Sequence, residues 1–279
     1  MSHESDALRP EDYTDPVCPF CTEQFTGPEV RRIPTGRVLD KLDEHLSRND
    51  YDAAERHLRY WLREAVLGGD ERGEFQMANE LMGLCRKVGK GEDALAFAER
   101  ALSLAERLGI GEEAAGGTAL VNAATVCKAF GRPERAIALF EQAEKVYLAA
   151  LEPGDPRLGG LYNNMGLALV DLGRFGEADA AYRKALAVME KAENGGFERA
   201  ITLLNVADAR VTALGAAAAE EEVAALLDEA EALLLDPALP QNGYAAFVYE
   251  KCAAGFGYHG RFMTQRELER RAKEIYERD

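Results

Sequence analysis

A glycine that recurs every 42 residues is the feature that most constrains the fold of this chain. Gly89, Gly131, Gly173 and Gly215 follow one another at this spacing. Similar segments surround the first three glycines: CRKVGKGEDALAFAERAL, CKAFGRPERAIALFEQAE and LVDLGRFGEADAAYRKAL. A fixed period of this length is typical of proteins built from stacked structural repeats.

Small and aromatic residues follow each of the first three glycines at fixed distances. An alanine comes five residues later, an alanine or a ring four residues after that, and another alanine three residues further on: Ala94, Ala98, Ala101; Ala136, Phe140, Ala143; Ala178, Tyr182, Ala185. Steps of four and three follow one face of an α-helix, and glycine permits the left-handed backbone that ends a helix. Each repeat is therefore predicted to be a helical hairpin, which needs stacked neighbours to bury its apolar faces.

This pattern resembles the tetratricopeptide repeat. In the register of that family, Gly166 takes the small position of a first helix, and Met82 and Ala124 take it in the two preceding units. The usual period of the family is shorter, and the extra length adds about two helical turns or a longer linker. The segment EPGDPRLGGLYNNMGLAL, residues 152–169, is similar to the 42-residue repeats of kinesin light chains. The resemblance implies an all-α fold: an α-solenoid of about six units that winds as a right-handed superhelix.

The predicted solenoid covers residues 37–279. Clear repeats are expected at 75–116, 117–158 and 159–200, weaker ones at 37–74 and 201–243, and a C-terminal cap at 244–279. In the weaker units, Ala54, Leu58 and Trp61 are predicted to take the second-helix positions, and Glu220 falls where the period expects an alanine. Residues 1–36 form an N-terminal extension that is either docked or flexible.

The charge of the chain bears on its partners. The sequence has 33 basic and 49 acidic residues, for a formal net charge of −16. This balance argues against a nucleic acid or an anionic membrane as partner, because both require a basic surface. No apolar run reaches the length of a bilayer, and the polar, acidic N-terminus MSHESDALRPEDYTD lacks an apolar signal-peptide core. We therefore expect a cytoplasmic protein.

The five cysteines offer one candidate for metal or redox chemistry. Cys18 and Cys21 form a CPFC motif, which supplies two ligands where structural zinc usually takes four. Cys85 and Cys127 share one repeat position, and they and Cys252 are predicted to be core residues. We expect the motif to belong to a segment that docks on the first hairpin. The alternative is a metal-binding or redox-responsive regulator that uses Cys18 and Cys21.

Other motifs do not indicate catalysis. GFGYHG, residues 255–260, matches G-x-G-x-x-G, but it is predicted to close an α-helix, whereas a dinucleotide site needs a preceding strand. His45, His57 and His259 are assigned to separate hairpins, without the spacing of metal ligands. No activated nucleophile or phosphate-binding loop is apparent. We therefore expect a protein that is not an enzyme and has no cofactor.

The resemblance also implies a ligand-binding face. In the family, the first helices line a concave groove, and mapping the groove positions onto this chain gives Gln76, Asn79, Arg86, Lys87, Asn122, Thr125, Lys128, Asn163, Asn164 and Asn205, together with Thr118, Thr202 and Thr212. A side-chain amide both donates and accepts hydrogen bonds, so a ladder of amides suits the backbone of an extended peptide. Individual asparagines could instead tie adjacent hairpins together by bonding a neighbour's backbone.

The same mapping places positive charge at one end of the groove. Arg86, Lys87 and Lys128 could hold an acidic side chain or a C-terminal carboxylate of the ligand. Together, these features predict a non-enzymatic adaptor, a protein-interaction scaffold that binds an extended peptide or protein segment in its groove.

Overall fold

Regular structure in the described part of the chain is entirely α-helical. The computed structural model describes residues 30–193 and 195–278. Twelve helices lie in these ranges: α1 Thr35–Ser47, α2 Tyr51–Gly68, α3 Glu71–Lys87, α4 Gly91–Arg107, α5 Ala114–Ala129, α6 Pro133–Ala150, α7 Pro156–Asp171, α8 Phe175–Met189, α9 Gly196–Leu214, α10 Ala216–Leu234, α11 Gly243–Tyr258 and α12 Phe262–Tyr276. The all-α repeat fold predicted from the 42-residue period is confirmed. Among the described helices, none is both long enough and apolar enough to cross a membrane.

The helices belong to two compact units, Met1–Arg132 and Pro133–Asp279. In the first unit, α1 pairs with α2 and α3 with α4, and α5 packs on both α3 and α4. In the second unit, α7 pairs with α8, α9 with α10 and α11 with α12. We call the odd-numbered helices first helices, because each one opens a repeat.

The turn at Gly173 has the backbone conformation that the sequence predicted. Gly173 has φ of 70°, and the N–H of Arg174 donates to the carbonyl of Leu169 at 2.9 Å. Leu169 also accepts from the N–H of Leu172 at 3.2 Å, so its carbonyl at the end of α7 binds both sides of the turn. In the first hairpin Asn49 takes the equivalent place with φ of 55°, which asparagine tolerates better than most residues.

The turn before α10 differs from the others and corrects one prediction. Only Gly215, with φ 82° and ψ 152°, separates Leu214 from Ala216, whereas three residues separate α7 from α8. Because this turn is shorter, the buried alanine of α10 is Ala219, and Glu220 is exposed. The expected register was therefore wrong by one residue in this helix.

The second-helix residues predicted to face the neighbouring helix are buried. This holds for Ala94, Ala98, Ala101, Ala136, Phe140, Ala143, Ala178, Tyr182 and Ala185, and for Ala54, Leu58 and Trp61 of α2. Gly166 shows why size matters here, since an added Cβ would lie 2.5 Å from Cε1 of the Tyr182 ring. The ring of α8 thus fills the space that Gly166 leaves on α7.

The part of the N-terminal extension that the structure describes is anchored to the turn between α2 and α3. The N–H of Ile33 donates to Oδ2 of Asp70 at 2.9 Å, and Oδ1 of Asp70 accepts from the N–H of Gly73. The N–H of Arg31 donates to the carbonyl of Gly68 at 2.9 Å. Asp70 therefore caps α3 and holds the preceding chain with the same buried carboxylate.

Replacing Tyr182 by phenylalanine is expected to increase the stability of the protein. The side chain is 1% exposed, and its hydroxyl has no hydrogen-bond partner among the described residues. Burial and the nearby Asp208 raise the pKa of Tyr182, so the group stays protonated. Removing a buried, unpaired hydroxyl should raise the free energy of unfolding by about 1 kcal/mol.

Tyr249→Phe is the matched control for this substitution. Tyr249 is also buried, but its hydroxyl accepts a hydrogen bond from Nε2 of Gln241 at 3.0 Å. Its loss should lower the free energy of unfolding by about 0.5–1.5 kcal/mol. Urea denaturation of both variants measures the difference. A destabilisation by Tyr182→Phe equal to that of Tyr249→Phe would contradict the unpaired hydroxyl.

Candidate functional site

Four of the predicted groove asparagines form two hydrogen-bonded pairs. In the first unit, Nδ2 of Asn122 on α5 donates to Oδ1 of Asn79 on α3 at 3.1 Å. In the second unit, Nδ2 of Asn205 on α9 donates to Oδ1 of Asn163 on α7 at 2.8 Å. All four side chains are partly buried. We call these the asparagine pairs; each joins two consecutive first helices.

The asparagine pairs fix the amides in place without using all their hydrogen-bonding groups. Each amide has two N–H donors and one carbonyl oxygen with two lone pairs, and the bond within a pair uses one donor and one acceptor site. The partner is a neighbouring side chain, not the neighbouring backbone that the alternative considered. An oriented amide loses less conformational entropy when it binds a ligand than a mobile one does.

Asn164 differs from its neighbour Asn163. It is partly buried on α7, and its side-chain amide makes no hydrogen bond to another described residue. Its amide therefore remains available beside the pair in the second unit. The two adjacent asparagines of this helix thus have different environments: one amide is held by Asn205 and the other is not.

The remaining polar residues of the predicted groove in the first unit have local contacts. Nε2 of Gln76 donates to Glu80 one turn later at 2.7 Å, and the hydroxyl of Thr125 donates to the carbonyl of Val121. The ammonium of Lys87 lies 4.8 Å from the centre of the Tyr51 ring. Arg86 is exposed, while Lys128 is partly buried.

The three additional threonines bond to their own helices. The hydroxyls of Thr118, Thr202 and Thr212 each donate to the carbonyl four residues earlier, at 2.8–2.9 Å. Thr202 is 2% exposed, so its assignment to an open face was wrong. A threonine in a helix readily forms this bond, which leaves its hydroxyl less available to a ligand.

An exposed aromatic pair continues the line of asparagines into α11. Phe247 lies 42 residues after Asn205, and Tyr244 precedes it by one turn. The side chains are 51% and 47% exposed, and their rings stack with centroids 6.3 Å apart and an interplanar angle of 29°. The sequence interpretation missed these residues because it sought only polar groups, although adding the period to Asn205 would have found Phe247.

Tyr244 is held in place by residues at the start of α9. Its hydroxyl donates to the carboxylate of Glu198, and the ring of Phe197 meets its ring edge-on at 5.9 Å. Burial and the hydrogen bond to Glu198 raise the pKa of Tyr244, so the hydroxyl remains a donor. A space of about 230 Å³ opens beside this ring, between the end of α8, the loop that precedes α11, and the starts of α7, α9 and α11.

A second cluster contains residue types that can bind a metal ion, but its carboxylates are already paired with basic side chains. The ligand atoms of Glu55, Cys85 and Asp93 lie within 4.8 Å of one another. Lys90 Nζ contacts the Glu55 carboxylate at 2.6 Å, and Arg59 contacts both Glu55 and Asp93. The hydrogen bond from Lys90 is the main cause that lowers the pKa of Glu55, and burial raises the pKa of Cys85 to about 11. The cluster is therefore an ion-pair network beside a protonated thiol.

The other sequence motifs have these outcomes. Cys18 and Cys21 lie outside the described residues, so the alternative that depends on them remains a hypothesis. Cys85, Cys127 and Cys252 are buried, as predicted.

The placement of the histidines needs one correction. His45 and His57 lie on the same hairpin, α1–α2, with ring centroids 5.8 Å apart, so their assignment to separate hairpins was wrong. Nε2 of His57 donates to the carbonyl of Val38 at 2.9 Å. GFGYHG closes α11, as predicted.

The twelve described helices and the asparagine pairs at repeated positions define an all-α helical-repeat protein. Two family models, both described as tetratricopeptide repeat, match residues 74–149 and 159–196. Residues 74–149 and 159–196 therefore match tetratricopeptide repeats, and these repeats resemble those of kinesin light chains. A comparison of the sequence with curated proteins finds no match.

Several solved structures share the fold. One is a kinesin light chain from Podosopora anserina, described as having nearly identical TPR-like repeats. It superposes on this chain with a TM-score of 0.51 at 16% sequence identity, and the match covers 72% of this chain and 94% of that chain. BtubC (BKLC) from P. vanneervenii superposes with a TM-score of 0.52 at 16% sequence identity, and the match covers 84% of this chain and 90% of that chain. A Rap protein complexed with competence and sporulation factor superposes with a TM-score of 0.51 at 14% sequence identity, and the match covers 85% of this chain and 73% of that chain. At these identities the similarity shows the fold alone.

Proposed function

We propose that the protein is a non-enzymatic adaptor that binds an extended peptide or protein segment along its first helices. The tetratricopeptide repeats support an interaction scaffold in general. The asparagine pairs carry the more specific proposal, because they place fixed amides at corresponding positions in both units. An amide that keeps a donor and an acceptor can bind peptide backbone of any sequence.

The availability of amide groups supports a binding role in addition to the role of joining helices. The bond between Asn205 and Asn163 leaves the NH2 group of Asn163 and one N–H of Asn205 for a ligand, and the amide of Asn164 adjoins them. The Rap protein with a similar fold is known in complex with competence and sporulation factor. That complex is consistent with a scaffold that holds a separate factor.

The first unit would favour an acidic feature of the ligand. Arg86 and Lys87 stand in the last turn of α3, and Lys128 stands in the last turn of α5. The ammonium of Lys87 lies over the face of the Tyr51 ring and forms no ion pair with a described residue, so a ligand carboxylate can approach it without breaking one. A ligand carboxylate at these residues would form charge-assisted hydrogen bonds.

The proposal assigns no catalytic residue. The described cysteines are buried, and burial raises the pKa of Cys85 to about 11 and that of Cys252 to about 12. Both thiols are therefore protonated and poorly nucleophilic at neutral pH. The binding function needs neither a cofactor nor a metal ion.

Selection of peptides on the immobilised full-length chain tests this function. We expect short linear peptides to be enriched, and Lys128→Glu to slow their association and reduce its dependence on salt if they are acidic. Arg278→Glu, at the far end of the chain, is the matched charge control and should not change binding. If no linear peptide is enriched, or if the enriched peptides bind Lys128→Glu and a variant lacking both asparagine pairs unchanged, the proposal is contradicted.

A further inference from the structure

The second unit contains a small cavity that the asparagine pairs alone do not explain. It has a volume of about 230 Å³ and lies where α9 and α11 begin. This is below the range of about 300–1,000 Å³ typical of small-molecule sites, so it suits one side chain and not a whole ligand. Tyr244, Phe197, Pro240 and Met189 supply apolar walls.

The charge of the cavity is one-sided. Among its described lining residues, Glu193 and Glu198 are acidic and none is basic. The N-termini of α9 and α11 oppose this with partial positive charges of about half a unit each, but two carboxylates carry full charges. The cavity therefore has a negative balance, in a chain whose net charge is −16.

The aromatic pair next to the cavity has exposed ring faces. About half of Tyr244 and of Phe247 is open to solvent, while the hydroxyl of Tyr244 is fixed by Glu198 and its ring edge by Phe197. A fixed ring face with carboxylates nearby attracts a cation, and a guanidinium group can also stack on it.

A bound peptide can span the distance from the cavity to the asparagine pair of the second unit. Glu198 and Asn205 are seven residues apart on α9, which corresponds to about 10 Å along the helix axis. An extended peptide covers that distance with about three residues. One segment can therefore place its backbone on Asn163 and Asn205 and a nearby side chain in the cavity.

We propose that this cavity and the Tyr244–Phe247 pair select a basic side chain, preferably arginine, in the peptide that the asparagine pair of the second unit holds. The inference rests on the proposed peptide-binding function and adds a sequence requirement to it. Glu198 and Glu193 would pair with the guanidinium group, and the rings would cover its faces.

Peptide pools that differ at one fixed position test the inference. Each pool of short peptides carries arginine or its uncharged isostere citrulline at that position, and binding to the full-length chain is measured by fluorescence polarisation. At one position we expect arginine to bind about tenfold more tightly than citrulline. Phe247→Ala and Glu198→Gln should each reduce this ratio of arginine to citrulline affinity. Glu193→Gln, which changes an exposed residue, is a second charge variant with the same expected effect. Phe262→Ala, which changes a 61% exposed phenylalanine on α12, should leave the ratio unchanged.

Failure of the inference is distinguishable from failure of the proposed function. Combining Asn163→Ala with Asn205→Ala should weaken all pools while preserving the ratio of arginine to citrulline. If the pools bind and depend on the asparagines, but arginine has no advantage or Phe247→Ala and both glutamate variants keep it, the inference alone is overturned. If no pool binds, or if the double asparagine variant binds all pools normally, the proposed function is overturned and the inference with it.

Discussion

Replacing Tyr182 by alanine is expected to lower the free energy of unfolding by about 3–5 kcal/mol. The ring of Tyr182 is 1% exposed and fills the space beside Gly166, where an added Cβ would lie 2.5 Å from the ring. Truncation to alanine would remove the apolar contacts of the ring and leave a void between α7 and α8. The helix pair that carries Asn163 would therefore lose the packing of this ring against Gly166.

Tyr258→Ala is the matched control for this loss. Tyr258 lies in the same unit and is 72% exposed, so its truncation should change the free energy of unfolding by no more than about 0.5 kcal/mol. Urea denaturation followed by circular dichroism measures both variants. Equal costs for the two tyrosines would contradict the assigned packing of the repeat.

Removing the asparagine pair of the second unit is expected to have the largest effect on binding. Each hydrogen bond lost to a buried ligand group should cost about 1–3 kcal/mol, or about 5- to 150-fold in affinity. The variants should also lose about 1 kcal/mol of stability, because the bond between Asn205 and Asn163 joins two helices. Affinity and the free energy of unfolding, measured on the same variants, separate the two effects.

The repeat fold could be predicted because its packing depends on local spacing. Ala178, Tyr182 and Ala185 follow one helix face, and Gly173 ends the preceding helix, so neither feature requires knowledge of distant residues. The prediction was wrong at α10, where the single-residue turn at Gly215 moves the buried alanine to Ala219. The length of that turn depends on how α9 and α10 pack, which the repeat pattern does not contain.

The candidate site could be predicted only in part. The asparagines were found by their positions, but the bond of Asn163 to Asn205 depends on the distance between two helices that are 42 residues apart in sequence. The aromatic pair of Tyr244 and Phe247 was missed because the sequence interpretation considered only polar groups, and aromatic residues are more often part of a core.

The most direct test of the proposed binding function compares affinity and stability for Asn163→Ala and Asn205→Ala. A selected peptide is titrated calorimetrically into each variant at a low temperature at which circular dichroism shows the variant to be folded. Gln265→Ala is the control, because among the described residues that amide bonds only to Glu269 in its own helix, α12. The proposal predicts that both asparagine variants bind the peptide at least about fivefold more weakly than the wild type, while Gln265→Ala binds normally. If both variants melt earlier but bind the peptide as tightly as the wild type, the asparagines only join the helices, and the peptide-binding role assigned to them is wrong.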